Sequence, residues 1–177
     1  MDDLLVWSSA DEPNLPITRP RRQSELFIGA GASVPDRCSV ANQGKCMFVV
    51  HEEVFFHQCD PAGYLFFAES FVLAHKAIER FLSNTQIGRS GWFEHATVAF
   101  PLRHAECDYQ SPLRAGDRCD LTVQVVKVST SSVVFDVTAV DDGRPCFSVT
   151  SVHTAMSRSD HTKVALPSEV RSVLELR

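Results

Sequence analysis

Cys59-Asp60-Pro61-Ala62-Gly63-Tyr64-Leu65-Phe66-Phe67 is the stretch at which the periodicity of the chain changes. Before it, residues 46–57 are rich in Val and Phe, which predicts a β-strand interrupted by charged residues. Pro61 and Gly63 are typical of a turn that ends such a strand. The sequence after the turn has a helical period, so residues 59–67 are interpreted as a strand-to-helix junction.

A long helix is predicted from Leu65 to Leu82. Apolar residues recur there at helical spacing, at Phe67, Phe71, Ala74, Ile78 and Phe81. The polar residues Ser70, Lys76, Glu79 and Arg80 lie off that stripe. Further apolar residues surround the stripe, so most of the helix circumference is apolar, and we expect a sheet to wrap around the helix.

The residues after the helix alternate between apolar and polar, which is typical of strands with one buried face. Alternation is clear over residues 121–125, 133–138 and 144–156, and residues 97–109 also read as strand. Asp141-Asp142-Gly143 predicts a hairpin turn. Residues 169–176 predict a short final helix. We therefore predict an α+β domain with a five-stranded antiparallel sheet around one central helix, whose edges pair with a second copy of the chain.

Residues 1–45 differ in composition from the rest of the chain. They hold four of the nine prolines and three of the eight glycines, with no sustained apolar period. We interpret 1–45 as an N-terminal extension of flexible character and 46–177 as the folded domain. The extension is expected to be dispensable for the fold of that domain.

Composition and charge exclude several classes of protein. The net charge of −5 argues against non-specific nucleic-acid binding and against a polybasic membrane-surface protein. No apolar run is long enough to span a bilayer, and the acidic start of the chain lacks a signal-peptide pattern. The six cysteines show no C-x-x-C spacing and the seven histidines are scattered. We therefore expect a cytoplasmic protein with no metal site and no cofactor.

A second stretch completes the motif set: Glu106-Cys107-Asp108-Tyr109-Gln110-Ser111-Pro112-Leu113-Arg114-Ala115-Gly116-Asp117. Together with residues 59–67 and Ser131-Ser132, it resembles the hotdog-fold thioesterases of the 4-hydroxybenzoyl-CoA thioesterase family. The resemblance covers residues 46–156. It implies a hotdog fold, an acyl-CoA thioesterase acting on a coenzyme A thioester, and a homodimer or homotetramer. It also implies aromatic substrates such as hydroxybenzoyl- or dihydroxynaphthoyl-CoA.

The same resemblance assigns catalytic roles at the junction. It implies that Asp60 is the catalytic carboxylate, acting as nucleophile or as the base that activates water. The backbone amide of Phe67 would polarise the thioester carbonyl, and Gly63 would let the chain approach the acyl group closely. From the residues alone, the favoured interpretation of Asp60 is a helix-capping or turn Asp, because such residues are common before helices.

Three further residues are candidates for substrate binding, namely Tyr64, Glu69 and His75. Glu69 occupies the helix on which a related hotdog subgroup carries its catalytic Glu, although a solvated helix residue fits the pattern as well. His75 lines an acyl pocket or packs at a helix–sheet seam, and His57 is at most a supporting residue near Asp60. The candidates for binding the phosphates of coenzyme A are Arg103, Arg114, Arg118 and Arg144.

Other functions remain open at this point. A non-catalytic acyl-CoA-binding hotdog domain would share the fold, but such sensors carry a DNA-binding helix pair that residues 1–45 do not show. A thioesterase acting on acyl-carrier protein would share the motif. A hotdog dehydratase or hydratase is disfavoured, because Asp60-Pro61-Ala62-Gly63 stands where a His-rich motif would be expected.

Overall fold

The computed structural model describes residues 37–40 and 46–175. Eight strands, three α-helices and one 3₁₀ turn make up this part of the chain. In order they are β1 (Arg37–Val40), β2 (Cys46–Glu53), the 3₁₀ turn (Phe56–Gln58), α1 (Phe67–Ser83), α2 (Gly88–Phe93), β3 (Val98–Ala99), β4 (Leu102–Tyr109), β5 (Arg118–Val128), β6 (Ser132–Asp141), β7 (Arg144–Thr154), β8 (Met156–Ser157) and α3 (Ser168–Glu175).

The main sheet has the strand order β1-β2-β5-β6-β7-β4, and all its neighbouring strands are antiparallel. Alternate residues of the central strand β6 are buried, from Val133 to Ala139, because successive side chains of a strand point to opposite faces. Helix α1 lies against the buried face. The predicted α+β hotdog architecture is confirmed, and the five predicted strands are joined by the short edge strand β1.

The buried stripe of helix α1 contains Ala74, Ile78 and Phe81, as predicted, but it differs from the predicted stripe at the N-terminal end. Its buried residues are Ser70, Leu73, Ala74, Ala77, Ile78, Phe81 and Leu82. The stripe therefore begins at the polar residue Ser70, which is 1% exposed, whereas Phe67 is 61% exposed. The prediction that Phe67 lies in the buried stripe and that Ser70 lies outside it is therefore wrong. The contacts of α1 with the sheet fix the rotation of the helix about its axis, and the helical period alone does not determine that rotation.

Aromatic rings fill the centre of the core. Phe135 of β6 packs edge-on against Phe81 of α1, Trp92 of α2 and His153 of β7. Trp92 also stacks on Phe100, with ring centroids 4.2 Å apart. These contacts join α1 and α2 to the sheet, and they stabilise the domain.

The hairpin predicted at residues 141–143 is confirmed. Asp142 and Gly143 both have positive φ angles, 48° and 80°, and they connect β6 directly to β7. A two-residue turn with positive φ at both central positions matches the twist of the flanking strands.

Two predicted boundaries are wrong. The strand ends at Glu53 rather than His57, because the Phe55 N–H donates to Gln58 Oε1 and the chain turns into the 3₁₀ segment. The helix begins at Phe67 rather than Leu65, because Leu65 remains extended and its N–H donates to Leu113 O. Helix α2 was missed altogether, since its six residues include two glycines and show no helical period.

The domain boundary at residue 45 lies outside the described residues, so the division into 1–45 and 46–177 stays a prediction. Within the predicted extension, residues 37–40 form β1 and pair with β2, with Arg37 opposite Val49. None of the helices in residues 46–175 is both long enough and apolar enough to cross a lipid bilayer.

Candidate active site

The loop between the 3₁₀ turn and α1 is organised by Asp60. Its Oδ1 accepts hydrogen bonds from the Ala62 N–H at 2.9 Å and from the Tyr64 N–H at 3.2 Å. Its own N–H donates to Tyr64 O at 2.8 Å, and its carbonyl accepts from the Gly63 N–H at 2.9 Å. The predicted turn role of Asp60 is therefore present. No group within the described residues donates to Oδ2, which leaves one carboxylate oxygen available for chemistry.

Gly63 is required by the backbone of this loop. Its φ of +81° lies in the left-handed region, and no atom lies within 4 Å of the place where a Cβ would stand. The constraint is therefore conformational rather than steric. Gly63 allows the chain to turn back so that Tyr64 can bond with Asp60.

Helix α1 presents its first turn beside this loop. The residue before it, Phe66, is extended, with φ −60° and ψ 135°. As the first helical residue, Phe67 has an N–H without an acceptor inside the helix, at the positive end of the helix dipole. The Phe67 side chain points outward, which leaves its backbone amide as the chemically useful group.

Tyr109 fixes this helix start from the sheet. Its hydroxyl, at the end of β4, donates to Phe67 O at 2.9 Å. Although Tyr109 is 55% exposed as a residue, partial desolvation of its hydroxyl, together with the neighbouring Cys107 thiol, raises the pKa of Tyr109 to about 12. The hydroxyl therefore keeps its proton at neutral pH and remains a donor. Tyr109 was noted in the sequence only as part of a motif, and no local pattern links it to Phe67, 42 residues away.

Glu69 is half-buried and held by a residue that the sequence analysis missed. Gln58 is 8% exposed, and its Nε2 donates to Glu69 Oε2 at 3.0 Å. Because Gln58 O also accepts from the Phe66 N–H at 2.8 Å, Gln58 ties the 3₁₀ turn to the helix start. Glu69 is thus a hydrogen-bonded residue rather than a freely solvated one.

A cavity of about 330 Å³ lies next to this helix start. It is lined by residues 64–65, by Ser70, by residues 109–113 and by residues 146–147. Tyr64 lines the cavity, and its contact with substrate stays a prediction. The cavity falls in the size range of small-molecule sites. It adjoins the first turn of α1 and Tyr64, whose N–H donates to Asp60 Oδ1.

Of the four candidate arginines, Arg114 contacts the cavity lining at Tyr64, and Arg144 contacts it at Pro112. The Arg114 guanidinium lies 4.9 Å from the centre of the Tyr64 ring, and its Nη2 donates to the Tyr64 hydroxyl at 3.0 Å. Arg118 is paired with Glu53, and Arg144 bonds to Asp141 and to Pro112 O. Arg103 is exposed on β4. Arg114 and Arg144 therefore both lie next to the cavity, and binding of a substrate phosphate stays a prediction for each of them.

His75 lies elsewhere. It lines a second, smaller cavity of about 50 Å³ together with Ile78, Ser151 and His153. Its ring packs edge-on against Phe93, at a centroid distance of 6.0 Å. The structure does not bring His75 to the cavity beside Asp60, so its predicted contact with substrate stays untested. His57 is exposed and stacks on Phe55.

Three of the described cysteines offer little nucleophilic chemistry. Burial raises the pKa of Cys107, of Cys146 and, to about 12, of Cys119. Because the thiolate is the reactive form, these three thiols are weak nucleophiles at neutral pH. In residues 37–40 and 46–175, no group of three or more His, Cys, Asp or Glu side chains could hold a metal ion.

Comparison with known proteins places the chain in a family. The family model described as the thioesterase-like superfamily matches residues 54–174. The chain therefore belongs to the thioesterase-like superfamily, and the resemblance to hotdog thioesterases is confirmed.

Individual relatives agree with this class. The 1,4-dihydroxy-2-naphthoyl-CoA hydrolase of Nostoc punctiforme is 28% identical over 130 residues, which cover 72% of this chain and 86% of the relative. The solved 1,4-dihydroxy-2-naphthoyl-CoA thioesterase of Synechocystis superposes with a TM-score of 0.66 at 21% identity, over 71% of this chain and 93% of that one. A gentisyl-coenzyme A thioesterase superposes with a TM-score of 0.63 at 21% identity, over 72% of this chain and 98% of that one.

Proposed function

We propose that this protein hydrolyses acyl-CoA thioesters with an aromatic acyl group. The observation that carries the proposal is the strand-to-helix junction. There the Asp60 carboxylate, which bonds to the described residues only through Oδ1, lies in the loop that leads to the N-terminal turn of α1. The adjoining cavity supports a bulky acyl group. The names of the relatives, which include 1,4-dihydroxy-2-naphthoyl-CoA and gentisyl-CoA hydrolases, support an aromatic one.

The reaction assigns one task to each group. The Phe67 N–H donates to the thioester carbonyl oxygen and stabilises the negative charge that develops there. Asp60 Oδ2 either takes a proton from the attacking water or attacks the carbonyl carbon itself, giving an anhydride that water then hydrolyses. In both routes the C–S bond breaks, coenzyme A leaves as a thiolate that takes up a proton, and the acid is released.

The substitution Asp60→Asn tests this assignment, because it retains the shape and the Oδ1 acceptor but removes the charge and the basicity. With benzoyl-, 4-hydroxybenzoyl-, 1,4-dihydroxy-2-naphthoyl- and short aliphatic acyl-CoA, we expect thiol release to fall at least ~100-fold in kcat with little change in KM. Asp160→Asn is the matched control, because Asp160 Oδ1 also accepts the N–H of the residue two positions later.

Three outcomes would change the assignment. Full activity in Asp60→Asn with loss in Glu69→Gln would transfer the chemistry to Glu69. Binding of acyl-CoA without thiol release by the unmodified protein would favour a non-catalytic binding domain. Faster hydrolysis of the acyl-carrier-protein thioester than of the coenzyme A thioester would change the carrier.

We also propose that the chain forms a homodimer, and by pairing of dimers a homotetramer. Strand β4 supports this, because it pairs with β7 on one side and with no described strand on the other. Leu102 and Tyr109 of β4 are 56% and 55% exposed, and Val72 of α1 is 54% exposed. An open strand edge beside apolar side chains is a template for pairing with a second copy. A monomer in sedimentation at micromolar concentration would contradict this proposal.

The cytoplasm is the compartment that we propose for the protein. Cys59, Cys107, Cys119 and Cys146 are all free thiols, which suits a reducing environment.

A further inference from the structure

Gln58 is a buried residue that makes three hydrogen bonds beside the start of α1. It is 8% exposed, and its Oε1 accepts from the Phe55 N–H at 2.9 Å. Because that bond fixes which way the side-chain amide points, Nε2 faces the helix and donates to Glu69 Oε2 at 3.0 Å. The backbone O of Gln58 accepts from the Phe66 N–H at 2.8 Å. Gln58 thus binds both the N-cap residue and the acidic side chain of the first helical turn.

The position of Glu69 in the helix gives these bonds a second meaning. Phe66 is the N-cap, so Glu69 is the third helical residue. A glutamate at that position commonly turns back and accepts a hydrogen bond from the N-cap N–H, and the positive end of the helix dipole attracts its charge. Here Gln58 O accepts from the Phe66 N–H, and Gln58 Nε2 binds the carboxylate. Gln58 therefore keeps Glu69 from capping its own helix.

The N–H groups at the helix start remain free as a consequence. Among the described residues, no acceptor bonds to the N–H of Phe67 or of Ala68. Both N–H groups belong to the same turn as Glu69, so a carboxylate released by Gln58 can reach them. A carboxylate bonded there would occupy the amide that we propose for the thioester carbonyl oxygen. It would also place negative charge where negative charge develops in the transition state.

We propose that Gln58 is a positioning residue for the hydrolysis, which holds the Glu69 carboxylate away from the Phe67 N–H so that this amide can bind the substrate. The inference rests on the proposed thioesterase function. Gln58 is not among the residues that line the 330 Å³ cavity, so it acts through Glu69 rather than on the substrate. Its effect is to remove a competitor from the helix start.

The substitution Gln58→Met removes the Nε2 donor and keeps the length of the side chain. We expect kcat/KM, for the acyl-CoA that the unmodified protein hydrolyses fastest, to fall about five- to thirtyfold, the factor that corresponds to a charged contact at a helix N-terminus. Gln124→Met is the matched control and should leave kcat/KM unchanged. Gln124 lies between the buried residues Val123 and Val125 of β5, so its side chain is on the face of the sheet that points away from α1.

The combination of Gln58→Met with Glu69→Ala separates this role from a structural one. Without the carboxylate nothing competes for the Phe67 N–H, so the double variant should be more active than Gln58→Met by about the factor that the single substitution cost. A purely structural role predicts no recovery, because both variants lack the acceptor for the Phe55 N–H. No recovery in the double variant, or a Gln58→Met protein that does not fold, would overturn the inference.

Hydrogen exchange of the backbone amides, followed by NMR, gives a readout that needs no turnover. In Gln58→Met the amide of Phe67 or of Ala68 should exchange more slowly than in the unmodified protein, and the double variant should reverse this change. Unchanged exchange at both amides, or unchanged kcat/KM in Gln58→Met, would overturn the inference and leave the thioesterase function standing. Absence of thiol release from every acyl-CoA by the unmodified protein would overturn the proposed function and, with it, the role of Gln58 in hydrolysis.

Discussion

The two ends of helix α1 lie in different surroundings. At the C-terminal end, Ala77, Ile78 and Leu82 are at most 2% exposed and pack into the aromatic core. At the N-terminal end, Phe67 is 61% exposed, and a cavity lined in part by Ser70 opens beside the first turn. The C-terminal end therefore contributes packing to the stability of the domain, whereas the N-terminal end leaves open space beside the turn at which we propose that the substrate binds.

The largest effect is expected from a substitution that creates a cavity at the buried C-terminal end of α1. Leu82→Ala removes a side chain that is fully buried, and the free energy of unfolding should fall by about 2–5 kcal/mol. Chemical denaturation measures the loss, and kcat of the remaining folded protein should be nearly unchanged. The exposed residue Val126 provides the control, because Val126→Ala leaves no cavity. An equal decrease in the free energy of unfolding in both variants would show that packing at the C-terminal end of α1 is not the source of stability.

At the N-terminal end of α1, removal of one N–H group should lower the activity and leave the stability nearly unchanged. Phe67→Pro deletes the amide of the first helical residue, a position where proline is favoured, and Phe66 already has the extended backbone that precedes proline. We expect kcat to fall about 10²–10³-fold with little change in the melting temperature.

Phe67→Ala separates the amide from the side chain, because it keeps the N–H and removes the ring. Activity equal in Phe67→Pro and Phe67→Ala would mean that this amide does not act on the thioester. A large drop in melting temperature in the proline variant alone would mean that the first turn supports the fold after all.

The smallest expected effect is the pH dependence of stability that arises from His153 in the aromatic core. His153 is 5% exposed, and its burial among Trp92 and Phe135 lowers its pKa below the usual value near 6.5. The unfolded chain therefore binds a proton that the folded chain refuses. Above about pH 6.5, where His153 is neutral in both states, it does not lower the free energy of unfolding. The free energy of unfolding then decreases as the pH falls from there through the lowered pKa of the folded state.

Denaturation curves between pH 7 and 5 measure this dependence. His153→Gln should flatten the decline in the free energy of unfolding, while the exposed His57→Gln should leave the slope unchanged. The same slope in His153→Gln as in the unmodified protein would assign the acid sensitivity to other groups.

Local patterns in the sequence were sufficient for much of this architecture. Alternation along β6 and the Asp142-Gly143 turn depend on neighbouring residues, and both were predicted correctly. The Asp60 loop was also recognisable, because Pro61 and Gly63 fix its geometry locally. These features need no information about the rest of the fold.

The remaining features depend on contacts between distant segments. The burial of Ser70 follows from the rotation of α1 against the sheet, and the sequence suggested the opposite because serine is usually exposed. The Gln58–Glu69 bond and the Tyr109–Phe67 bond join residues 11 and 42 positions apart. Neither pair has a spacing that indicates contact within one helix or strand, so the inner surroundings of the site were visible only in three dimensions.

The bond from the Tyr109 hydroxyl to Phe67 O makes the helix start sensitive to events at the sheet edge. Tyr109 is the last residue of β4, the strand whose outer edge has no described neighbour. If a second chain pairs there, dilution that separates the chains would loosen β4, and through Tyr109 it would displace the first turn of α1. The turnover per molecule would then depend on protein concentration, declining below the dissociation constant of the assembly while the secondary structure persists.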